Sequence, residues 1–106
     1  MSLIKRITIE EDQPIDVPFT IRERTLILDH AFADPSLTDP LAAADQKDDQ
    51  LRVPFTLYDI EELCGFIAAA ANHTADRKLR RDLQKLFVRL SDLMDGYDDG
   101  NWQGKL

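Results

Sequence analysis

With one cysteine in the chain, Cys64, neither an internal disulfide nor a cysteine-ligated zinc site can form. Glycine is equally scarce. Three of the four glycines, Gly96, Gly100 and Gly104, crowd the C-terminal end, so no glycine-rich phosphate loop can be assembled. No apolar run approaches the roughly 18 residues needed to cross a bilayer. Met1-Ser2-Leu3-Ile4-Lys5-Arg6 lacks the apolar centre of a signal peptide, so a cytoplasmic location without membrane contact is the expectation. Ser2, Ser36 and Ser91 stand outside any nucleophile elbow, and no His-Glu-x-x-His pattern occurs.

Basic residues are also in the minority. Lys and Arg number 13 against 20 Asp and Glu, a formal charge of -7, which disfavours long-range attraction to nucleic acid or an anionic membrane. The charge is uneven along the chain. Residues 1–50 hold eleven acidic against five basic side chains, whereas residues 76–90 hold six basic against two acidic.

What the chain does have is a repeated tetrapeptide. Val-Pro-Phe-Thr occurs at 17–20 and again at 53–56. Proline bars its predecessor from helical backbone, and threonine is a good N-cap, so each copy says extended chain and then helix. Thr20 with Glu23 has the spacing of a reciprocal cap, and Thr56 caps the second helix with Asp59 at its third position. Beyond the four shared residues the segments diverge, so the repeat reads as one local solution used twice rather than as a duplication.

A first strand is expected over 3–9 and a second over 51–53. The first helix is expected over 21–32, with Ile21, Leu28 and Phe32 on one inner face and Leu26 and Ile27 at its flanks. Asp34-Pro35 and Asp39-Pro40 both fit a capping residue followed by proline at the first helical position; Pro40 opens a short helical turn through Ala44, and 45–50 reads as an acidic loop. Leu57, Ile60, Cys64, Ile67 and Ala71 then form one helical stripe. Gly65 and the run Ala68-Ala69-Ala70-Ala71 keep parts of that helix thin enough for a neighbour to come close. After a turn at Asn72-His73-Thr74 the rhythm resumes at Leu79, Leu83, Leu86, Leu90 and Leu93. So short a turn forces the two helices antiparallel, with Ile67 near Leu79, Cys64 near Leu83, Ile60 near Leu86 and Leu57 near Leu90.

The expected fold class is therefore α+β and mostly helical. Two short strands and a first helix pack on a C-terminal antiparallel helical hairpin. The chain length fits one compact domain over 1–95, followed by an acidic, mobile tail over 96–106.

Candidate chemistry is thin. Asp95-Gly96-Tyr97-Asp98-Asp99-Gly100 imitates a calcium loop, but Tyr97 and Leu106 stand where oxygen ligands are required. His30 with Asp34, and Asn72 with Asp76, supply two ligand-type residues at helical spacing where a metal site needs three or four. No catalytic residue, metal or cofactor is expected. Cys64 lies within the apolar stripe and reads as a buried structural thiol. Arg77, Arg81, Lys85 and Arg89 recur every four residues along the last helix, an outward stripe suited to an acidic partner or to phosphates. Phe66, with Leu93 and Met94 overhanging the hairpin, forms the candidate dimer or partner patch. The expected function is a non-catalytic protein-interaction module, an adaptor or dimerising accessory protein, with protein or self-association as the partner. The alternatives are a nucleic-acid-binding regulator using the basic face and a small metal-dependent enzyme.

Overall fold

The computed structural model describes residues 7–48 and 50–98. Both copies of Val-Pro-Phe-Thr carry out the same transition. Strand β2 (Ile15–Thr20) runs into helix α1 (Ile21–Leu26), and strand β4 (Gln50–Phe55) leads through Thr56 into helix α3 (Leu57–His73). Side chains alternate across each strand: Ile15, Val17 and Phe19 from β2, and Leu51, Val53 and Phe55 from β4, are buried, while Asp16 and Arg52 face solvent.

The two strands pair antiparallel with Val17 opposite Val53, and Pro18 and Pro54 lie opposite Arg52 and Asp16. Both prolines thus fall in one class of alternating pairs. Proline has no N–H to donate, so this is the class that exchanges no hydrogen bonds between β2 and β4. β2 is an edge strand, and the short strand β3 (Gln46–Lys47) flanks β4 only at Gln50 and Leu51. Neither proline interrupts the ladder. The 45–50 segment expected as loop therefore contributes β3, which turns back at Asp48 with a left-handed φ of 51°.

Both expected caps are reciprocal. The Glu23 N–H donates to Thr20 Oγ1 at 3.0 Å and the Thr20 N–H to Glu23 Oε1 at 2.9 Å; Asp59 and Thr56 repeat the exchange at 3.0 and 3.1 Å. Each cap stabilises its helix by about 1 kcal/mol. Helix α2 (Pro35–Ala43) starts earlier than the turn expected at Pro40 because Asp34 caps it, and Pro40 is carried inside. Helix α4 (Arg77–Asp95) is capped by Asp76, whose Oδ1 accepts from the N–H groups of Lys78 and Leu79.

α3 and α4 form the antiparallel hairpin, and its turn is tied by Arg80, whose guanidinium donates to the carbonyls of Ala71 and Thr74. Ile60, Cys64, Ile67, Leu83, Leu86 and Leu90 are buried between the helices and the three-stranded sheet, with Leu57 and Leu79 packed against them. Burying each large aliphatic side chain there contributes roughly 1.5–3 kcal/mol. The mostly helical α+β architecture with a C-terminal hairpin is therefore what the chain adopts.

Only the start of the stretch expected as a tail is described, and it is paired. Tyr97–Asp98 forms strand β5, parallel to β1 (Ile7–Thr8), with the Ile7 and Ile9 N–H groups donating to the Gly96 and Asp98 carbonyls, both at 2.8 Å. Positions 99–106, like the first six of the chain, lie outside the described residues.

Candidate functional site

After α1 the backbone becomes π-helical over Ile27–Ala31. A π-turn closes its hydrogen bond one residue later than an α-turn, so the residues that follow are rotated off the expected face. The inner face proposed through Ile21, Leu28 and Phe32 is accordingly corrected. Ile27 and Ala31 enter the core, Ile21 is half-buried, and Leu28 and Phe32 face solvent.

Phe32 ends the segment in left-handed backbone, φ 50° and ψ 40°. A side chain bearing a Cβ is disfavoured there by about 1–2 kcal/mol. Phe32 is 86% exposed, so burial returns little for that strain. Just beyond, Asp34 accepts from the Ser36 N–H at 2.9 Å, which holds its carboxyl below the usual carboxylate range. Pro35 then occupies the first turn of α2, and the chain cannot continue its previous helix.

This corner faces the end of α3. Phe32 lines a groove of ≈ 400 Å³ together with Phe66, Ala69, Ala70 and Leu79, and both histidines, His30 and His73, also line it. The alanine run that thins α3 provides the hollow. None of the nine lining residues is Asp, Glu, Lys or Arg. A neighbouring cleft of ≈ 240 Å³ shares His30 and Leu79 and carries Arg22, Lys78, Asp76 and Asp82. There Arg22 Nη2 donates to Asp82 Oδ2 at 2.7 Å, with Lys78 Nζ at 3.6 Å from the same oxygen. The Arg22 hydrogen bond holds the Asp82 carboxyl below its ordinary range.

The basic stripe divides. Arg77, Arg81 and Lys85 are exposed on α4 as expected. Arg89 turns inward instead, and its place in an outward stripe is withdrawn. Its Nε and Nη2 grip Glu23 Oε2 and Oε1 at 2.6 and 2.9 Å, Nη2 also donates to the Pro18 carbonyl at 2.9 Å, and the guanidinium lies 5.6 Å from the centre of the Phe19 ring. Glu23 is available because it already caps α1. The side chain that closes the cap also anchors the hairpin to the sheet.

Phe66, Leu93 and Met94 are half-buried and packed against the core. The overhang of α4 meets the body of its own molecule, which removes Leu93 and Met94 as a free patch, and Phe66 survives only as part of the groove. Cys64 is buried; desolvation pushes its thiol up, only partly offset by a hydrogen bond with Ser91. That is the setting of a structural thiol. Among the described residues, no three His, Cys, Asp or Glu side chains are gathered as a metal ion would require, although His30 and His73 do share the groove. No described helix is long and apolar enough to cross a membrane. Comparison with protein-family models, with curated proteins and with solved structures found no match.

Of the residues that sequence reasoning misplaced, Phe32 is the one that shapes the groove. Its signal was the Asp34-Pro35 pair two residues on, which ends a helix and leaves the preceding aromatic at a corner.

Proposed function

We propose that this chain is a non-catalytic protein-interaction module, an adaptor or dimerising accessory protein of the cytoplasm, whose contact surface is the groove beside Phe32. The observation that carries this role is a bulky aromatic held at a positive φ and 86% exposed beside an apolar hollow. Strain of this kind is maintained where it serves a purpose, and an exposed aromatic next to a hollow has the form of an interface anchor. The lining offers apolar area and two imidazoles, which suits a protein surface better than a highly charged ligand.

Comparison of wild type with Phe32→Gly tests the role. Glycine suits the left-handed backbone, so the variant folds at least as well as the parent. Immobilised wild type retains a protein partner, its own copy included, and the glycine variant loses it. Equal retention by both would end this assignment. A nucleic-acid role keeps Arg77, Arg81 and Lys85 as support but has lost Arg89 to its pairing with Glu23, and those three cations stand on a molecule of charge -7. It ranks second for that reason.

A further inference from the structure

Resting on the interaction role just proposed, we infer that the occupant of the Phe32 groove is a second copy of this chain, bound about a two-fold axis so that each Phe32 ring enters the other copy's groove. Knob and hollow lie side by side on one surface. Phe32 lines the groove yet remains 86% exposed, so it does not fill the hollow of its own molecule. A two-fold contact requires a patch that complements itself, and an anchor adjacent to a hollow of ≈ 400 Å³ is such a patch.

Charge selects the same occupant. Two molecules of -7 repel, and they meet most readily on a face where that charge is missing. The groove lining carries no fixed charge, and the adjoining cleft balances Arg22 and Lys78 against Asp76 and Asp82, a formal sum of zero. An acidic partner would find no cation in the groove, and a basic partner would find no carboxylate. A second copy brings the same uncharged lining, so the groove itself meets no unmatched charge.

Complementation between two variants of the full chain provides the test. Phe32→Gly removes the knob and keeps the hollow. Ala69→Trp, at an exposed position of α3, fills the hollow and keeps the knob. Sedimentation equilibrium from micromolar to millimolar concentration should show wild type passing from monomer to dimer. Each variant alone should dimerise roughly 100-fold more weakly or worse, because two anchors are lost per dimer. Mixed together, the variants restore one knob-in-hollow contact, and the heterodimer should exceed either homodimer by about 10-fold. Circular dichroism of each variant confirms that it is folded. A wild type that stays monomeric throughout overturns the inference, as does a wild-type dimer that Phe32→Gly leaves intact. If wild type is monomeric yet retains a different protein that Phe32→Gly releases, self-association is wrong and the interaction role stands.

Discussion

Val17 and Val53 stand directly opposite each other in the β2–β4 ladder, and this one pairing sets the two Val-Pro-Phe-Thr segments about a local two-fold axis. Rotation about it exchanges Ile15 with Leu51, Phe19 with Phe55, and the Thr20–Glu23 cap with the Thr56–Asp59 cap. The repeated words are thus neighbours in space. Each supplies half of the centre of the sheet and the start of one helix.

The two phenylalanines meet edge to face with ring centroids 6.2 Å apart. Such a pair contributes about 0.5–1.5 kcal/mol beyond the area it buries. Phe19 also lies under the Arg89 guanidinium, and among the described residues no cation is placed likewise over Phe55. Despite the local symmetry, Phe19→Leu should therefore destabilise more than Phe55→Leu. A double-mutant cycle by urea denaturation should give a coupling of about 1 kcal/mol. Equal single costs would show that the Arg89 contact contributes nothing.

Arg89 and Arg81 test the divided basic stripe. Arg89→Ala leaves the partly buried Glu23 carboxylate without its fork and the Pro18 carbonyl without a donor, and should cost about 2 kcal/mol. Arg81→Ala on the exposed face should stay within roughly 0.5 kcal/mol of wild type. Glu23→Gln, which keeps the cap acceptor and drops the charge, should fall between them. Denaturation midpoints at neutral pH give the order.

The contrast also marks what the sequence made legible. Hairpin, caps and strand-to-helix transitions are set by local spacing, and the antiparallel packing of α3 on α4 follows from periodicity and a short turn alone. The inward turn of Arg89 depends on Glu23, 66 positions away, and no periodicity carries that contact. β2 is a strand that the sequence does not announce, because a Pro inside a strand reads as a break, and only its partner strand shows that Pro18 occupies a non-donating position. At Phe32 a single π-turn rotated the helix face, a backbone irregularity to which a 3.6-residue period is blind.

Acid should weaken the contact between α1 and α4. The Asp82 carboxyl titrates below its usual value of 3.8 because Arg22 donates to it. A depressed folded-state pKa means that the stabilisation is fully present above the unfolded value. It is lost as pH falls through the folded one. The stability difference between wild type and Asp82→Asn should thus hold steady from neutrality to about pH 4 and shrink below it. A difference that instead grows on acidification would reverse the assignment. Arg22 is mostly exposed, so the effect should also decline as salt is added.

Gly65 sits in the interior of α3 on its exposed side, and a Cβ placed there would have nothing within 4 Å. Its backbone is helical, so no left-handed conformation requires glycine. The residue costs the helix conformational entropy without allowing any close approach within the monomer. Gly65→Ala should accordingly stabilise the protein by about 0.5–1 kcal/mol, read as a rise in thermal midpoint. A fall instead would mean that another surface lies against α3 at Gly65 in solution. In that event the loss should grow with protein concentration, because only an assembled form would contain the clash.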